Sequence, residues 1–222
     1  MKVDGMTKAK NTEMTMKQQL RQISSVLAIG ALLCGLGAVD AGAHEVNRSK
    51  GFYLGSSLMG SSIDIDEDPG TTFRVDSNGG GVTLEMGYSF NSVFSLELVL
   101  AATGYETSDP DINAGLGAVQ VFAHYQFRPG SQMRPFVKGG FGGYGLRIDD
   151  GAVAATANGG GLAFGGGIDY FFNRHFAMGI DVTHSIIDYN ELEFDFGGTT
   201  TGSEIDEEGT MTTTGLTFNF YF

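Results

Sequence analysis

MTTTGLTFNFYF, residues 211–222, ends the sequence and decides how the rest of it is read. Its even positions, Thr212, Thr214, Leu216, Phe218, Phe220 and Phe222, grow steadily more apolar, whereas Thr213, Gly215, Thr217, Asn219 and Tyr221 stay small or carry a polar group. Strict alternation of this kind belongs to a β-strand with one greasy and one wet face. Left as an open edge, such a strand invites aggregation; closing the sheet into a barrel removes the edge.

The same period recurs upstream. Residues 51–60 alternate weakly, with Phe52, Leu54 and Leu58 on one side. Residues 79–90 put Val82, Leu84, Met86, Tyr88 and Phe90 opposite Thr83, Glu85, Gly87 and Ser89. After a tight turn at 91–93, Phe94, Leu96, Leu98 and Leu100 continue the apolar face, so the two strands form a hairpin. Residues 115–127 set Val119, Val121, Ala123, Tyr125 and Phe127 against Gln120, Phe122, His124 and Gln126. The glycine-studded stretch 135–147 follows, in which an inward Lys138 sends Val137 and Phe141 outward. Residues 159–172 and 176–186 complete the series, and the terminal strand brings the count to eight. Each is near the roughly 9–11 residues that a tilted membrane strand requires.

The connections alternate as well. Short turns are expected at 91–93, 128–134 and 173–175, and longer loops at 61–78, 106–114, 148–158 and 189–210. Aromatics gather at the short-turn end: Phe90, Phe94, Phe127, Phe172, Phe176 and Phe222. Short periplasmic turns, long outer loops and an aromatic girdle are the layout of outer-membrane barrels. The terminal aromatics and this layout resemble the small outer-membrane β-barrel family of OmpA-type transmembrane domains, OmpX and opacity proteins. The resemblance covers the chain from Gly51 onward. It implies an all-β fold, an eight-stranded antiparallel up-and-down transmembrane β-barrel, in the outer membrane of a Gram-negative bacterium. It also implies that Phe218, Phe220 and Phe222 form the signal read by the outer-membrane assembly machinery. Because the sequence stops at this strand, no cell-wall-binding domain is expected after it.

At the other end, Lys17 and Arg21 precede the apolar run 26–39, which is followed by Ala41-Gly42-Ala43. A basic flank, a short apolar core and an A-x-A site describe a secretory signal peptide. The expected organisation is therefore a signal-peptide helix within 1–43, with the true start at Met14 or Met16, and a barrel domain over 44–222. The single Cys34 falls inside the leader, so the processed chain has no thiol chemistry. Past residue 43 eight basic residues face 23 acidic ones. This excess leaves no basic patch for nucleic acid.

Parity places Glu85, Glu97, Lys138, Asp169 and Asp181 inside the barrel, with His124 among Gln120 and Gln126. Eight strands enclose just enough room for side chains, so the lumen is expected to be packed and polar and not an open channel. These six residues are expected to form a structural ion-pair and hydrogen-bond network. The loops are acidic: Asp64, Asp66, Glu67, Asp68 and Asp76 in the first, and Glu191, Glu193, Asp195, Glu204, Asp206, Glu207 and Glu208 in the last. Spacing at 64–68 lacks the glycine and the distal glutamate of a calcium loop. His184, Ser185 and Glu191 loosely resemble the set of lipid A deacylases, yet adjacent residues on a strand point to opposite faces and cannot meet. The glycine runs at 139–145 and 159–167 lie in strands and open no helix, so they are no phosphate loop.

The expected role is structural or surface-interacting and adhesin-like, carried by the acidic outer loops and non-catalytic. A lipid A-modifying enzyme and a small pore are the alternatives. Expected partners are membrane lipid, lipopolysaccharide, the assembly machinery and an unidentified extracellular ligand, with the barrel a monomer; no cofactor or metal is expected.

Overall fold

The computed structural model describes residues 50–65, 75–107, 112–151, 153–196 and 199–222. The leader at 1–43, with Cys34, lies outside the described residues, as do Asp66, Glu67 and Asp68 of the first acidic loop. Eight strands follow one another: β1 (Gly51–Ile65), β2 (Val75–Ser89), β3 (Phe94–Thr107), β4 (Asn113–Gln126), β5 (Met133–Asp149), β6 (Val153–Phe171), β7 (Phe176–Phe196) and β8 (Thr199–Tyr221). Each pairs antiparallel with the next, and β8 returns to β1, closing the barrel. The closure places Leu54 beside Phe220 and Leu58 beside Leu216. It is fastened at the end of the chain, where the Phe222 amide donates to the Phe52 carbonyl at 3.1 Å and the Tyr221 amide to the His175 carbonyl at 2.7 Å.

The expected alternation sorts the side chains. Leu84, Phe141, Leu162, Phe164 and Ile180, each more than half exposed, stand on the outside, while their sequence neighbours Glu85, Gly140, Ala163 and Gly179 face in or pack against the next strand. An apolar belt of this extent could not be hydrated without a large free-energy cost, roughly 25 cal/mol for each Å². In acyl chains the cost vanishes. At the short-turn end the belt finishes in ring pairs, Phe90 with Phe94 at 5.7 Å, Phe172 with Phe176 at 5.4 Å and Phe220 with Phe222 at 5.3 Å. The short turns stand where expected, with one shift: β5 begins at Met133, so Arg134 belongs to a strand and not to the turn.

The long connections are corrected. The stretches 61–78, 106–114, 148–158 and 189–210 were expected to be loops, but much of each is strand. β1 runs to Ile65, β3 to Thr107 and β6 starts at Val153. The largest change is at 189–210, where β7 and β8 stay paired until Phe196 meets Thr199. Hydrophobic alternation ends where the outer face leaves lipid and both faces are wet. Backbone pairing does not depend on that contrast, so the ladder continues past the point at which its sequence signal stops. A register shift between Tyr189 and Glu191 marks the change; bulges of this kind re-aim a strand at a barrel rim. Since β8 meets β1 only up to the Ile65–Gly209 pair, its segment 199–208 is laddered on the β7 side alone among the described residues.

Candidate functional site

Among the described residues, ionisable side chains from many strands converge in the lumen. The six residues expected there all face inward: Glu85, Glu97, His124 and Asp169 are buried, and the Lys138 and Asp181 side chains nearly so. They do not form one continuous ion-pair web. The Lys138 ammonium donates to Asp181 Oδ2 at 2.7 Å, and the Thr183 hydroxyl adds a longer bond to the same oxygen. The other carboxylates take neutral donors. Tyr53 donates its hydroxyl to Glu97 Oε2 at 2.6 Å, Thr83 donates to Glu85 Oε1 at 2.8 Å, and the Gln126 amide donates to Asp169 Oδ2 at 3.0 Å. Lys138 also lies 4.9 Å from the centroid of the buried Phe122 ring, so its stem is packed as well as its charge. His124 stands edge-on to Phe136 at 4.3 Å, with its Nε2 unpartnered.

Three further residues belong to this layer and were not picked out from the sequence. Arg134, 1% exposed, lays its guanidinium 4.0 Å from the Phe171 centroid and donates from Nε to the Ser131 carbonyl at 3.0 Å. Tyr53 and Tyr221 stack at 5.1 Å, and Tyr221 reaches Phe171 at 5.3 Å. Together they floor the lumen at the short-turn end with rings. Two signals could have found them: Tyr53 falls between the outward Phe52 and Leu54, and Arg134 shares parity with Lys138. Gly87 is required here by close approach, because the Tyr53 ring occupies the space where its side chain would stand.

Toward the long loops the filling changes. Ile63, Leu116, Leu146, Ile187 and Met211 pack with Tyr105, Tyr144 and Tyr189 into one buried cluster. The expectation of a polar lumen therefore holds for the short-turn half and fails for the outer half. Ile63 and Ile187 lie in strand extensions beyond the stretches of hydrophobic alternation, where the sequence carries no signal of inward parity. Gln120 joins the halves by donating to the Tyr144 hydroxyl at 2.9 Å.

The serine and histidine of the candidate catalytic set, Ser185 and His184, do not meet. Ser185 is fully buried inside the barrel, while His184, on the other face, contacts the Thr212 hydroxyl at 2.9 Å and the Phe164 ring. The sequence argument that these neighbours diverge is borne out. Among the described residues, no three His, Cys, Asp or Glu side chains converge as a metal centre would need. Phe218, Phe220 and Phe222 sit on the outer face of the closing strand, with Phe220 beside Phe176.

The geometry has relatives. A family model described as an outer membrane protein beta-barrel domain matches residues 29–220. The outer membrane protein OprG from Pseudomonas aeruginosa is similar in structure, with a TM-score of 0.55 at 16% identity over 81% of this chain and 99% of that one. Neisserial surface protein A gives 0.55 at 15% identity over 79% and 99%. Ail, the attachment invasion locus protein of Yersinia pestis, gives 0.50 at 16% identity over 78% and 100%. At these identities the likeness is one of fold. No curated protein matches the chain by sequence. Closed eight-strand topology, a lipid-facing apolar belt and the family match together place this chain in the outer membrane protein β-barrel domain family, in the outer membrane of a Gram-negative bacterium.

Proposed function

We propose that this barrel is a non-catalytic surface-interaction protein whose working part is the β7–β8 projection. The observation that carries this reading is the paired extension of the two longest strands past the closure with β1, bearing Glu191, Glu193, Asp195, Glu204, Asp206, Glu207 and Glu208. A two-stranded acidic blade presents a fixed negative surface. Such a field favours a cationic partner and speeds encounter with it, more strongly at low salt. The outer edge of the blade adds backbone donors and acceptors to which an extended segment can pair.

A lumen filled on both sides of Gln120 supports this reading over a pore. The divergence of His184 and Ser185 supports it over lipid A hydrolysis. The terminal aromatics would serve assembly, and the leader at 1–43 would be removed on export.

The test is binding of basic polypeptides and of lipopolysaccharide to the refolded barrel in nanodiscs, beside a variant in which residues 191–207 are replaced by a short turn. Loss of salt-sensitive binding to basic polypeptides in the shortened barrel, with melting unchanged, is the expected result. Equal binding by both forms would overturn the assignment. A change in the mass of lipid A from overproducing cells would favour the enzyme instead.

A further inference from the structure

The polar half of the lumen encloses a cavity of about 10 Å³. That volume suits one particle the size of a water molecule. Its wall combines Glu85, Glu97, Asp169 and Asp181 with the Lys138 ammonium. It also carries three buried polar atoms that have no hydrogen-bond partner: His124 Nε2, Thr217 Oγ1 and Asn219 Oδ1. Leaving such atoms unsatisfied costs about 1–3 kcal/mol each, so three around one cavity call for an occupant.

The chemistry of the wall says which kind. Two carboxylates are engaged by strong donors, Asp181 by Lys138 and Glu97 by Tyr53. Glu85 and Asp169 accept at one oxygen only, from Thr83 and Gln126. Their second oxygens lie over glycines. Where a Gly55 side chain would stand are Asn219 Oδ1 and, 3.0 Å away, Glu85 Oε2. Over Gly179 are Asp169 Oδ1 and, at 2.8 Å, Thr217 Oγ1. Residues without side chains thus make room for two pairs of oxygens in the wall of this cavity, Glu85 with Asn219 over Gly55 and Asp169 with Thr217 over Gly179. Counted as ionised, the four carboxylates of this layer outnumber its two cationic side chains, Lys138 and Arg134. A water molecule would satisfy the orphaned oxygens but not the charge. A cation satisfies both, and hard cations take oxygen ligands. The acidic and histidine side chains do not converge as a divalent ion requires.

We propose that this cavity binds a single monovalent alkali cation of sodium size, held by Glu85, Asp169, Thr217 and Asn219. The ion ties β2, β6 and β8 together beside the Lys138–Asp181 pair. It is tested by urea unfolding of the barrel in zwitterionic vesicles, with sodium exchanged for choline at constant ionic strength. Past half-saturation the unfolding constant should fall about tenfold for each tenfold rise in sodium. Thr217→Val and Asp169→Asn should flatten that dependence. Equal midpoints in sodium and choline, or a sodium dependence that survives both substitutions, would overturn the proposal. Should the variants fail to fold, crystals of the unaltered protein soaked in rubidium decide the matter. An anomalous peak between Asp169 and Asn219 is the expected outcome, and a cavity holding only water counts against the ion.

Discussion

Toward the short turns the lumen is filled by Glu85, Glu97, Lys138, Asp169 and Asp181; toward the long loops it is filled by Ile63, Leu116, Leu146, Ile187 and Met211. The same eight strands enclose both. Lipid therefore dictates only the outer face. The inner face must merely be full, and it is filled in two ways. The apolar half obtains stability from close packing and needs no partners. Each carboxylate in the polar half needs a donor of its own, because a buried carboxylate left alone costs several kcal/mol. The polar half should thus be sensitive to the identity of its residues, and the apolar half to their volume.

The largest effect expected from that difference is at the buried ion pair. Lys138→Met leaves Asp181 with only the Thr183 hydroxyl and should cost about 3–5 kcal/mol in unfolding free energy. Adding Asp181→Asn should recover most of the loss. An unchanged midpoint for Lys138→Met in urea titrations would mean that the charged layer does not hold the barrel closed. In the outer half, Leu116→Ala should cost about 2–4 kcal/mol by opening a cavity. Leu116→Met should be tolerated within about 1.5 kcal/mol, since only volume counts there. If the isosteric change is as damaging as the truncation, the contrast between the halves is wrong.

Gly87→Ala should fall between the two in kind: it adds one methyl group, but into the space of the Tyr53 ring, whose hydroxyl serves Glu97. A loss of about 1–3 kcal/mol is expected. Tyr53→Phe in the same background should cost less than it does alone, because the displaced ring has already lost its bond; additive costs would separate the two effects.

The smallest effect lies at the rim of the barrel, where β5 ends and the β5–β6 connection begins. There the Gly151 amide, and then Arg147, hold the Asp149 carboxyl below its ordinary 3.8. A depressed carboxyl contributes above its unfolded pKa and loses its contribution as the pH falls through the folded value. The Gly151 amide should therefore become less protected, by nuclear magnetic resonance, as pH drops below about 3.8, while the lumen amides of β5 stay protected. The Asp149 side chain lies part-exposed at the end of β5, so only local opening should respond. Global unfolding over the same pH range would place the acid-sensitive element in the charged lumen layer instead.

How much of this was legible depended on where a residue sat relative to lipid. Leu84 and Glu85, or Phe164 and Gly165, announce their faces because one neighbour meets acyl chains and the other cannot. Tyr53 was readable by the same rule once Phe52 and Leu54 were set outward. Arg134 was missed because Pro129 and Gly130 made the whole stretch to 134 look like turn, although its spacing from Lys138 is even. Ile187 and the paired blade at 189–208 were hidden for a physical reason: above the membrane both faces of a strand are wet, so alternation carries no signal even where the backbone is fully paired.

By itself the sequence determined that the chain closes as eight strands with an apolar outside, because the strand period and the demand for an edgeless sheet leave few other arrangements. It also determined which charges turn inward, since parity follows from the pleat. Only the tertiary structure decided which donor serves each carboxylate, that half of the lumen is apolar, and that side chains of β2, β6 and β8 bring oxygens to the wall of a single cavity. Those outcomes depend on the stagger between strands that are far apart in the chain, and no local pattern records that stagger.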